Sequence, residues 1–182
     1  MKNFIYFVIY SFIGFIIETL YRLVTKGVFM IKKCFLFNCL CPVYGVAALL
    51  IIYTTQNIKN KPLTFLIGSL VSSATELIFG MIYFNLLNVR IWNYSDMYLN
   101  LYGHVNLIYS LFWGILSLIL VYKVHPVVKN IVSEIKIPKS VFACIIIIFI
   151  IDVLFSSFFM KKYKTANALS LSWLINHWLI LI

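Results

Sequence analysis

Acidic residues are nearly missing from this chain: five Asp and Glu stand against fifteen Lys and Arg in 182 residues. Charged residues of both signs make up only 11% of it, where soluble domains carry about 25%. With 63% hydrophobic residues and a mean hydropathy of +1.01, that deficit excludes an ordinary soluble domain and excludes disorder. No Walker A loop is present, so the chain has no nucleotide motif with which to drive transport itself. There is no His-Glu-x-x-His, no Gly-x-Ser-x-Gly and no metal-ligand cluster. The chain is therefore expected not to be an enzyme, and no cofactor or metal is implied. The four cysteines, Cys34, Cys39, Cys41 and Cys144, offer a Cys-x-Cys without a second pair or a nearby His, and read as free thiols. No small-residue cleavage site follows the apolar N-terminus, and the run continues through Glu18 to Val24, so it reads as a retained span.

What is present is hydrocarbon-compatible sequence in long runs. A span needs about 20 apolar residues. The expected fold is an all-α, polytopic helical bundle forming a single membrane domain over 1–182. Spans are expected at about 4–24, 43–56, 62–87, 104–124 and 141–160, with 166–182 as a candidate sixth. Between the fourth and fifth, Val124, Val128, Ile131, Val132 and Ile135 share a helical face, with Pro126 suited to a first turn and Pro138 to a stop. Segment 124–139 thus reads as an amphipathic helix in the headgroup plane. The cations lie singly or in pairs at the ends of apolar runs, which suits lipid headgroups and not nucleic acid. With the N-terminal face called side A, seven cations fall there and eight on side B. That count does not separate the sides; the basic amphipathic segment favours side A as cytoplasmic.

Against this background three acids inside oily runs stand out: Glu18, Glu76 and Asp152. A carboxylate at bilayer depth costs about 2.5–3.5 kcal/mol on insertion scales, so such groups face a bundle interior or a wet cavity. By span parity all three fall in the side-B half. Arg22 lies one helical turn after Glu18 and is its natural partner. Glu76 has no cation inside its own span. His104 and Asn106 enter the fourth span from the same side, and His104 is the expected proton partner. Ser11, Gly14 and Glu18 form a stripe on the first span, and Gly68, Ser72, Glu76 and Gly80 form one on the third. Small residues at these spacings suit close helix packing. A shift of 58 residues superposes Phe7, Ser11, Glu18, Tyr44, Gly45 and Leu49 on Phe65, Ser69, Glu76, Tyr102, Gly103 and Leu107, a candidate internal repeat.

Two aromatic loops complete the side-B face. One runs from Phe35 to Gly45 and carries Cys41, Pro42, Tyr44 and Gly45. The other runs from Trp92 to Gly103 and carries Asn93, Tyr94, Ser95 and Asn100. Their composition suits an interfacial belt or backbone folded back over a cavity.

Taken in order, these motifs resemble those of a bacterial family of ABC-transporter type IV permeases. The segments are Tyr10–Glu18, Phe35-Leu36, Cys41-Pro-Val-Tyr-Gly45, Glu76, Trp92-Asn-Tyr-Ser95, Asn100-Leu-Tyr-Gly103 and Ser110-Leu-Phe-Trp-Gly114. The resemblance covers about residues 4–130. The chain departs from the family pattern at Lys33-Cys34, where the family has Arg-Gly, and at Asn38-Cys39, where it has Gly-Pro. It also has Asn93 where the family has Asp, and His104 where it has Arg, which points to a lost ion pair. The resemblance implies a separate ATPase subunit, or another membrane protein, as partner. The expected function is a permease-like component for a small solute in the bacterial cytoplasmic membrane, with Glu18, Arg22, Glu76, His104, Asn106 and Asp152 lining a polar cavity. The alternative is a membrane-embedded scaffold or regulator that binds its partner through helix faces.

Overall fold

Backbone in hydrocarbon must satisfy its own N–H and C=O groups, which leaves helices as the economical solution for this chain. The computed structural model describes residues 1–27, 34–35, 37–170 and 173–174. It is mostly helical. Helix α1 is Lys2–Lys26 and stops at Gly27, which takes a left-handed conformation. Helix α2 is Pro42–Thr55, with Pro42 in its first turn. Helix α3 is Lys61–Leu87, capped by the Asn60 side chain, which accepts from the Leu63 amide. Helix α4 is Leu107–Ile119, a π-helical turn follows at Leu120–Val124, and helix α5 is His125–Glu134. Helix α6 is Lys139–Tyr163, and a single 3₁₀ turn follows at Ala166–Leu169.

Among the described residues, four helical runs are long and apolar enough to cross a membrane: α1, α3, the continuous run from α4 through α5, and α6. The expected second span is only 14 residues long, roughly 21 Å at 1.5 Å per residue, against a hydrocarbon core of about 30 Å. Its starting point explains the shortness. The Cys41 amide donates to the Ser11 carbonyl (3.0 Å), so α2 begins level with the middle of α1.

The expected headgroup-plane helix is not a separate element. Pro126 lacks the N–H that would bond the Tyr122 carbonyl, and the widened π turn just before it carries the helix across that gap. Val128 and Val132 are buried against Tyr10 and Ala48, while Ile131 and Ile135 stay exposed. The Tyr10 hydroxyl and His125 Nδ1 share a 2.7 Å hydrogen bond at this junction. A second apolar cluster joins Tyr83, Val89, Met160 and Leu169 at the side-B ends of α3 and α6. Most of the candidate sixth segment, residues 171–172 and 175–182, lies outside the described residues.

Small residues set the helix spacing. A Cβ on Gly14 would fall 2.2 Å from Tyr44, and one on Gly45 would meet Ser11 and Phe7. A Cβ on Gly68 would fall 2.3 Å from Ser117, and one on Gly114 would meet Ser69. The α1–α2 and α3–α4 pairs therefore pack backbone to side chain, as the stripes suggested. Cys34 and Cys41 are joined in a disulfide, which corrects the expectation of four free thiols; Cys39 and Cys144 remain unpaired. The bond forms because the chain folds Cys34 back onto the residue that precedes α2, a return that the Cys-x-Cys spacing does not signal.

Candidate functional site

Each of the three embedded acids is held by specific donors. Glu18 on α1 accepts from Arg22 Nε (3.4 Å) at one oxygen and from the Tyr44 hydroxyl (3.2 Å) at the other. Glu76 on α3 is 5% exposed and accepts from the Tyr94 hydroxyl (3.0 Å) and from Trp113 Nε1 (3.2 Å). Tyr44 and Trp113 lie ring against ring, centroids 4.9 Å apart. Tyr94 stacks on Tyr109 (4.8 Å), whose hydroxyl shares a hydrogen bond with that of Tyr21 on α1. Glu18 and Glu76 are thus members of one network that runs through α1, α2, α3, α4 and the 88–106 loop. Glu76 has no ion pair among the described residues.

The loop is shaped to deliver Tyr94. Asn93 Oδ1 accepts from the Ser95 amide and hydroxyl and from Arg90, fixing a tight turn around Tyr94. The Tyr94 amide donates to the Gly103 carbonyl (2.9 Å), and the Gly103 amide donates to Asn100 Oδ1 (2.9 Å). Two short strands, Asn100–Leu101 and Val105–Asn106, pair antiparallel around a turn in which Tyr102 and Gly103 both have positive φ. A side chain on Gly103 would strike Ser95, so glycine is required there on two grounds. Burial and then the charge of Glu76 push the Tyr94 phenol well above its ordinary value, which keeps it protonated as a donor.

The remaining candidates lie outside this network. Asp152, 2% exposed on α6, accepts from the backbone amides of Phe37 (3.1 Å) and Asn38 (2.9 Å), from Asn38 Nδ2, and from Ser156 Oγ (3.1 Å). It satisfies irregular backbone folded in at about the middle of α6. Asn106 caps α4, accepting from the Ile108 amide and donating to the Tyr98 carbonyl. His104 packs on Gly80 and Phe84, and its carbonyl accepts from Trp92 Nε1 (2.8 Å). Burial and the nearby Arg90 hold its imidazole below the ordinary histidine value. No hydrogen bond joins that ring to an acid among the described residues. In this chain Asn93 Oδ1 accepts from Arg90.

Cys41, Pro42 and Gly45 act through α2: they start it at mid-depth and let Tyr44 reach Glu18. The repeat fails at its second Tyr-Gly, because Tyr102 is 77% exposed and the tyrosine that meets Glu76 is Tyr94. Tyr21, Tyr109 and Trp113 were not singled out as site residues. Tyr21 sits three residues after Glu18, a spacing that puts it on the acid's face, but nothing in the sequence pairs Trp113 with Glu76.

A model of the family described as "Putative ABC-transporter type IV" matches residues 5–157. The chain belongs to that family. The match extends past the resemblance carried by the motifs and takes in Asp152. No curated protein and no solved structure matches the chain. Family membership and the apolar helices together make it a multi-pass membrane protein and a component of a membrane transporter.

Proposed function

We propose that this chain is the permease component of a transporter in the bacterial cytoplasmic membrane, and that its small solute passes the Glu18–Glu76 network. Irregular backbone at 37–41, held at mid-depth by Ser11 and Asp152, and α2, which runs from there toward side A, belong to a fifth crossing. A separate ATPase subunit supplies the energy, since the chain carries no nucleotide-binding loop. Glu76 is the coupling carboxylate: it is buried, it lies in a span, and only neutral donors hold it among the described residues. The observation that carries the reading is the joining of two embedded acids from different helices through two touching aromatic side chains, Tyr44 and Trp113. Asp152, by contrast, shares no contact with this network and serves only to hold the backbone of residues 37 and 38.

The test is solute flux in liposomes holding the chain with the ATPase that co-purifies with it. Glu76→Gln keeps the shape and both acceptor contacts in part, so the variant should fold with its melting temperature little changed. Flux is expected to drop by about an order of magnitude or more. Full flux in a folded Glu76→Gln protein removes the role. Retention of a membrane partner with no flux under any condition would instead support the scaffold reading.

A further inference from the structure

Beside the acid network lies an open groove walled by α1, α2 and α4 with the π turn. Its wall is almost wholly apolar, with Ile13, Ile17, Ala47, Ile51 and Leu116 among the lining side chains. From Trp113 to Val124 it follows eleven residues of helix, roughly 16 Å at 1.5 Å per residue. At one end stand Tyr44 and Trp113. Both line the groove, yet the hydroxyl of one reaches Glu18 and the Nε1 of the other reaches Glu76. A hydrophobic channel thus ends at two touching aromatic rings with a carboxylate behind each.

We infer that the groove takes the hydrocarbon tail of an alkylammonium amphiphile, whose cationic head sits at the Tyr44–Trp113 pair and is drawn by Glu18 and Glu76. The inference rests on the transport reading above and names its substrate class. The apolar wall selects a tail that partitions from the bilayer. Aromatic faces backed by carboxylates favour a weakly hydrated ammonium over any other head. An anionic head would meet Glu76, which no cation offsets among the described residues, and Arg22 is already engaged with Glu18. A strongly polar neutral solute would find almost no hydrogen-bonding group along the wall.

The experiment measures binding of decyltrimethylammonium to the purified chain in nanodiscs of zwitterionic lipid, with decyl sulfate and decyl maltoside as competitors of equal tail length. Saturable binding is expected, displaced by tetradecyltrimethylammonium and not by the sulfate or the maltoside at matched free concentration. Glu76→Gln is expected to weaken it about tenfold. Leu116→Trp, which fills the groove away from the acids, is expected to abolish it. Should either variant misfold, competition on the unaltered protein alone decides. Equal displacement by decyl sulfate, absence of saturable binding, or undiminished binding to folded Glu76→Gln overturns the inference. If alkylammonium does not bind while flux of another solute still depends on Glu76, the transport reading stands and the substrate class falls. If it binds but no flux depends on Glu76, the site stands and the transport role falls.

Discussion

Asp152 and Glu76 look alike in sequence, each a lone acid in a run of Ile, Leu and Phe, yet their neighbours give them opposite characters. Asp152 anchors the loop before α2, and removing it strands two backbone amides inside the membrane domain. Asp152→Ala should therefore cost about 2–6 kcal/mol, at 1–3 kcal/mol for each orphaned donor. Thermal unfolding in detergent reads this, and an unchanged melting temperature would contradict the anchoring role. His104 makes a pH prediction. Its folded value lies below the ordinary value near 6.5, so the folded state binds the proton less readily than the unfolded chain. Its contribution to stability is complete above about pH 6.5 and declines as pH falls from there toward the folded value. Melting temperature followed from pH 8 to about pH 5 should show that decline, and Arg90→Gln, which removes the second cause, should shrink it.

Among the elements, the glycines separate into two kinds with different consequences. Gly14 sits where α1 and α2 touch, and a methyl there collides with the Tyr44 side chain. Gly14→Ala should cost about 1–3 kcal/mol by overpacking and should also disturb the Tyr44–Glu18 contact. Gly27 has nothing within 4 Å of a built Cβ and needs glycine only for its left-handed φ. Gly27→Ala should cost about 1 kcal/mol and leave the site intact. Comparing the two melting temperatures checks the ranking, and equal losses would sink it. The π turn belongs to this scale as well, because one proline accounts for it and for the continuity of α4 with α5.

For the molecule as a whole, the disulfide and the Asp152 contacts tie the mid-depth loop to both α2 and α6, so the fold depends on backbone held inside the bundle without helix. The thiol count follows. Denatured without reductant, the protein should alkylate at two of its four cysteines, Cys39 and Cys144, and at four after reduction. Mass spectrometry distinguishes these, and four labels before reduction would refute the Cys34–Cys41 bond.

The membrane class, the long helices and the placing of Glu18 and Glu76 inside apolar helices were legible in the residues because each is a local or compositional property. Hydrocarbon length, apolar content and the cost of a buried charge need no knowledge of neighbours. The Gly and Ser stripes were legible for the same reason, since spacing alone puts them on one face. Tertiary structure alone decided that Glu18 and Glu76 share a network while Asp152 and His104 do not, that Tyr94 and not Tyr102 meets Glu76, and that Cys34 finds Cys41. Those outcomes depend on where loops fold back and on which ring fills the space a glycine leaves. Pairings between groups from 7 to more than 100 residues apart leave no periodicity in one sequence, so only the folded chain could choose among them.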